Sequence, residues 1–160
     1  LSDGRQIVLV NRDDLSYSTG RPIWEMRFLT ATRVLVRLGH EAEFVEARKA
    51  IKAAHEKAKL SDGYGVYQVT SGMPGTTFYI FAARKSLSEL DDNTKTHADP
   101  AYQAALGADW TKRNAALVQA YEASTDVNIF AMNPAMSIAP PDWIKADPYW
   151  KPKAPPKKAP

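Results

Sequence analysis

Two extended runs joined by one short glycine-rich turn constrain this chain more than any other feature. Residues 64–70 and 76–83 are dense in aromatic and β-branched side chains, and Gly72, Pro74 and Gly75 lie between them. Successive strand residues point to opposite faces, so Phe78 and Ile80 fall on one side and Tyr79 and Phe81 on the other. The connection suits a hairpin and is too short for a parallel crossover. A sheet that is apolar on both faces needs two covers. Helical segments elsewhere supply one, which leaves the other to a second subunit or an enclosed ligand.

The firmest helix begins at Glu41. Phe44, Ala47, Ile51, Ala54 and Ala58 recur at a helical period and share one face. Glu41, Glu43 and Glu46 crowd its start and Lys52, Lys57 and Lys59 its end, the order that complements a helix dipole. Ser61, Asp62 and Gly63 are expected to stop it.

Around these elements, residues 5–11 read as a short first strand, and residues 23–37 as one long strand, bent or interrupted near residues 30–32. Ser86 and Glu89 have capping-box spacing and predict a short helix that runs out by Asn93. Asp99-Pro100 predicts a further start, with helix over residues 101–123 broken near residues 107–109. Residues 125–132 form the last strand. Seven of the eleven prolines lie in residues 139–160. Trp143, Tyr149 and Trp150 are costly to leave in water, so residues 140–150 should pack on the body and residues 151–160 remain mobile. The expected organisation is therefore a domain over residues 1–138 and a Pro/Lys-rich extension over 139–160.

Leaving the first strand aside, the order strand, helix, strand, strand, helix, strand is the split βαβ arrangement of a ferredoxin-like α+β sandwich. The expectation is a four-stranded antiparallel sheet with both helical segments on one face, plus an extra N-terminal strand. The stretch Val36-Arg37-Leu38-Gly39-His40-Glu41-Ala42-Glu43-Phe44 resembles the start of dimeric α/β-barrel proteins, the superfamily that includes antibiotic-biosynthesis-monooxygenase-like and NIPSNAP-like domains. The resemblance covers residues 23–133 in element order and those nine residues in motif. It implies that the sheet pairs as a dimeric α/β barrel in a homodimer. It implies no single reaction, because such proteins include oxygenases, haem degraders, isomerases and dismutases. The Asn, Trp and His constellation of the haem-degrading branch finds no position-by-position match here, so no catalytic role is carried over. No cofactor is assigned, and haem stays open.

Composition narrows the function classes further. At 160 residues and 44% hydrophobic composition, the chain suits one domain with a core of its own. The formal charge of +3 resides in the tail, because four lysines lie in residues 151–160 and the remainder holds 17 basic against 18 acidic residues. A neutral body without an arginine stripe argues against nucleic-acid binding. The absence of cysteine removes disulfides, thiolate nucleophiles and thiolate metal sites, and leaves the compartment open. No apolar run is long enough to span a membrane, so a soluble protein is expected, cytoplasmic or exported after removal of a leader. The start at Leu1 fits either a trimmed sequence or a processed one.

Candidate site residues follow from the second sheet face. Glu25 and Arg27 alternate with Met26 and Phe28 on the long strand, and with Tyr67 and Tyr79 they are expected to line a pocket with aromatic walls and polar tips. Gln68 or Asn128 would lie nearby. No metal motif exists, and His40 and His55 stand about 22 Å apart along one helix. His55 is expected to be a surface or interface imidazole. His97, in the polar loop expected between two helices, is the candidate base. Ser71, Gly72 and Gly75 form no nucleophile elbow or phosphate loop and serve the turn. The expected function is binding of a small apolar or aromatic ligand, extending to cofactor-independent oxygenation or isomerisation. The alternative is a non-enzymatic structural or interaction protein whose sheet face is only a dimer core.

Overall fold

A computed structural model describes residues 6–151, without the side chains of residues 92–94, 97 and 122–124. Its strands are β1 (Val8–Asn11), β2 (Phe28–Val36), β3 (Gly65–Ser71), β4 (Thr77–Arg84) and β5 (Tyr121–Ala131). Its helices are α1 (Glu41–Ala58), α2 (Ser88–Ala98), α3 (Pro100–Leu106), α4 (Trp110–Ala120) and α5 (Pro141–Ala146). The strands form one antiparallel sheet in the order β1-β3-β4-β2-β5. The fold is α+β, and the order of β2 to β5 is consistent with a ferredoxin-like plan to which β1 adds an edge.

Alternation along the strands explains where the core sits. Val34, Val36, Val66 and Phe78 point to one face and meet Phe44 and Ala47 of α1 with Leu117 and Ala120 of α4. The rings of Phe44 and Phe78 lie 4.5 Å apart, centroid to centroid, and both are fully buried. A smaller cluster joins Ala54 to Tyr102 and Leu106 of α3. Leu15, in the loop after β1, is also fully buried and ties that loop to the helical side.

The hairpin of β3 and β4 sets Tyr67 opposite Tyr79 and Gln68 opposite Phe78. Its turn needs Gly72, whose φ is +89° and whose added Cβ would fall 2.0 Å from the Gln6 carbonyl oxygen. The expected helix start at Asp99-Pro100 is realised, with Asp99 Oδ1 accepting from the backbone N–H groups of Ala101 and Tyr102. The predicted break near residues 107–109 separates α3 from α4.

Several expectations are corrected. Residues 23–37 do not form one bent strand. Ile23–Glu25 is a 3-10 helix, closed by Glu25 N–H to Pro22 and Met26 N–H to Ile23, and β2 then runs unbroken through residues 30–32. The first helix ends at Ala58, capped by Lys59 in the left-handed conformation, before Ser61 is reached. The helix predicted from Ser86 begins at Ser88 and does not run out at Asn93; it continues to Ala98, where the residue before Pro100 is forced into extended backbone. Helix α4 stops at Ala120 because Tyr121 pairs with Val36, and Arg37 holds the junction by donating to the carbonyls of Ala120 and Tyr121. Sheet pairing overrides the helical propensity of the residues that follow.

The C-terminal segment packs as expected of its aromatic residues. After a short 3-10 helix at Pro134–Met136, α5 leads into a second at Pro148–Trp150. Trp150 is buried, donates Nε1–H to the Trp24 carbonyl at 2.7 Å and lies edge-on to Trp143 and Tyr149. The mobile tail expected at residues 151–160 lies outside the described residues beyond Lys151.

Candidate functional site

The face of the sheet opposite the helices is organised in cross-strand rows. One row runs Asn11, Tyr67, Tyr79, Arg33 and Asp126 across the five strands. The next places Phe81 between Gly65 and Ala31, with Asn128 beyond. Small neighbours on both sides leave the Phe81 ring standing in a shallow trough. Tyr79 stacks on Phe81 at 5.8 Å with the planes 9° apart, and Tyr67 meets Phe81 edge-on at 5.5 Å. Gly65 is closely approached here, because an added Cβ would lie 3.1 Å from the Tyr67 ring.

Where β3 begins and β4 ends, the trough deepens into a cleft of about 880 Å³. Leu29, Tyr67, Phe81 and Ala83 contribute its apolar side. Asn11, Asp13, Lys52, Glu56 and the hydroxyl-bearing loop at residues 16–19 contribute its polar side. That loop is fastened at several points. Tyr17 and Tyr64 exchange backbone hydrogen bonds, and the Tyr17 hydroxyl donates to the Leu60 carbonyl at 2.7 Å. Arg21 pairs with Glu89 at 2.6 Å, and Lys52 donates to the Asp13 carbonyl at 2.8 Å. The rim is thus held in place before any ligand arrives.

Electrostatics at the cleft's inner end are set by burial. Desolvation pushes the Tyr64 phenol up to about 12, against the opposing pull of Arg48. Burial also raises Tyr17, with Asp62 and Glu56 adding in the same direction. Next to them His55 is buried within the chain, in place of the expected surface or interface imidazole. Its ring lies 5.4 Å from Tyr17, 5.2 Å from Tyr64 and 5.1 Å from Tyr102. Nδ1 donates to the Ile51 carbonyl at 2.8 Å, which lets the imidazole satisfy a polar atom inside the packing.

The residues predicted for the site are distributed unevenly. Tyr67 and Tyr79 come together on Phe81, and Tyr67 lines the cleft. The Tyr79 hydroxyl donates to Met73 Sδ at 3.5 Å. Glu25 belongs to the 3-10 helix and pairs with Lys85. Arg27 precedes β2, pairs with Asp147, donates to the carbonyls of Trp24 and Met26, and covers the Tyr149 ring at 4.0 Å. Both are engaged outside the Tyr67, Tyr79 and Phe81 group. Gln68 alternates to the helical face and accepts from Arg12 at 2.7 Å. His97 lies on α2 and not in a loop, and its side chain is outside the described residues.

Sequence reasoning missed Arg33 and Asp126, which pair in the same row as the two tyrosines. It also missed the rim. The signal for Arg33 was its alternation with Val34 on the strand, whereas nothing local announces that residues 16–21 fold over the start of β3. Among the described residues, no group of three or more His, Asp and Glu residues is placed to hold a metal ion, and no helix is long and apolar enough to cross a membrane. No protein-family model, curated protein or solved structure matches the chain.

Proposed function

We propose that this protein binds a small apolar or aromatic molecule, one per chain, in the cleft between the Tyr67 and Phe81 rings and the loop at residues 16–21, and that it works as a homodimer. The observation that carries the binding reading is the composition of the cleft: aromatic rings on one side, hydroxyls and charged groups on the other, in a space of about 880 Å³. Ligand sites fall in the range of roughly 300–1,000 Å³ and combine mostly apolar walls with a few placed polar groups. The fastened rim supports it further, because a preorganised wall lowers the ordering cost of binding. Tyr67 supplies the ring face, and Asn11 and the hydroxyls of Ser18 and Thr19 supply hydrogen bonds to a polar end.

Native mass spectrometry of the freshly purified chain, then of the chain incubated with a panel of aromatic compounds, tests this. Retained or acquired mass is expected, at one ligand per chain, and Tyr67→Ala should weaken it about tenfold or more, the scale of a lost ring contact. If no panel member binds, or Tyr67→Ala binds as the parent does, the cleft is not a ligand site.

A further inference from the structure

Beside the half-buried rings of Tyr67, Tyr79 and Phe81, strand β5 carries a group of exposed apolar side chains. It ends the sheet order, so among the described residues one side of its backbone has no strand beside it. Along it Val127 is 58%, Ile129 48% and Phe130 54% exposed, and Met136 and Ile138 just beyond are more exposed still. These side chains lie on both faces of the strand. β5 is eleven residues long and contains no Lys, Arg or Pro, the residues that protect natural sheet edges.

The opposite edge differs. β1 has only four residues, its register shifts between Val8 and Leu9, and Arg12, Asp13 and Asp14 follow at once. Shortness, irregularity and charge are the devices that discourage edge pairing. Joining β1 of one copy to β5 of the next would also build an open chain of subunits, whereas pairing a strand with itself about a two-fold axis closes.

We infer that two copies of the chain pair β5 with β5, antiparallel, into one continuous sheet. This rests on the homodimer reading above and names its surface. β5 is complementary to itself. With Asn128 on the two-fold axis, Val127 stands opposite the partner subunit's Ile129, and Ile129 opposite the partner subunit's Val127, so both exposed residues on the helical side gain an apolar neighbour. Asp126, already paired with Arg33, stands opposite the partner subunit's Phe130. The two Asp126 carboxylates are then separated by four strand positions, about 14 Å, beyond the screening length of roughly 8 Å at physiological salt. The new backbone ladder satisfies edge groups that otherwise depend on water. The cleft is lined from β3, β4 and Leu29 of β2, whereas the free edge of β5 faces away from β2, so pairing along that edge leaves the cleft open.

Light scattering coupled to size exclusion, at micromolar concentration, reads the mass of the full chain and of three variants. A dimer is expected for the parent. Ile129→Lys and Val127→Lys should each be monomeric with an unchanged far-UV spectrum, since both side chains are already exposed in the single chain, and Tyr79→Ser should remain a dimer. A parent dimer that survives both lysine substitutions overturns the β5 interface and leaves the homodimer standing. Dissociation by Tyr79→Ser alone overturns it in favour of the aromatic face. A monomeric parent overturns both the interface and the homodimer on which it rests.

Discussion

The guanidinium carbon of Arg48 lies 4.7 Å from the centroid of the Tyr64 ring, inside the layer between α1 and the sheet. Arg48 is only 9% exposed, and its Nε has no hydrogen-bond partner among the described residues. A buried cation held by a ring face recovers about 0.5–2 kcal/mol, against a desolvation penalty of several kcal/mol per ion. The charge is therefore a net burden, while the aliphatic stem packs usefully. Arg48→Met, which keeps the stem and drops the charge, is expected to raise stability by about 1 kcal/mol, and Arg48→Ala to lower it. Urea midpoints decide it, and a fall with Arg48→Met would show that the cation and ring outweigh desolvation.

Tyr64 itself makes the fold sensitive to alkali. Burial raises its phenol from an ordinary value of 10.0 to about 12, and burial also raises Tyr102 and Tyr121. A group whose folded value is raised contributes stability that is complete below the unfolded value and is lost as pH climbs through the folded one. Stability should therefore decline between pH 10 and pH 12 by the Tyr64 linkage. Tyr64→Phe is expected to flatten that decline and to cost little at neutral pH, because the hydroxyl it removes is buried without a partner among the described residues. Urea midpoints at neutral pH and at pH 11 would measure both effects, and an unchanged alkaline decline would refute the assignment.

How far the sequence disclosed this protein can be judged at particular residues. The hairpin and α1 were readable because Phe78, Tyr79 and their neighbours alternate while Phe44, Ala47 and Ile51 recur at a helical period; each signal is local. The Asp99-Pro100 start was readable for the same reason, since cap and first turn are adjacent in the chain. Glu25 and Arg27 were misplaced because Trp24, Met26 and Phe28 alternate just as a strand would, and only Pro22 hints at the 3-10 turn. His55 looked like a surface group because its burial depends on Tyr17, Tyr64 and Tyr102, each distant in sequence. Of the candidate site, the paired tyrosines followed from strand register, but the cleft depends on a loop whose closure no local pattern encodes.

The C-terminal segment should respond to acid. The Asp147 carboxyl is held below its usual range, first by the backbone N–H of Tyr149 and then by Arg27. A depressed folded value means that the contribution is present above the ordinary 3.8 and is lost as pH falls through the folded value. Protonation weakens the pair with Arg27 and the turn that leads to Trp150. The expected sign is a red shift of tryptophan emission on acidification below that range, already present at neutral pH in Asp147→Asn. Emission that shifts only with global unfolding, followed in parallel by far-UV dichroism, would show that the segment does not open separately.

Gly65 separates the site from the stability of the fold. It stands opposite Phe81 in register, and an added Cβ would meet the Tyr67 ring edge at 3.1 Å. A small shift of that ring accommodates an added methyl, so Gly65→Ala should fold, and its lower unfolded-state entropy offsets part of the strain. The larger Gly65→Val must turn the Tyr67 ring away from Phe81, which removes the edge-on contact and fills the inner part of the cleft. Loss of ligand binding is expected for Gly65→Val, with a stability change of about 1 kcal/mol or less, the scale of one aromatic pair. Binding isotherms beside urea midpoints read the two effects independently. If Gly65→Val binds as the parent does, the ring of Tyr67 is not a wall of the site, whatever the substitution does to stability.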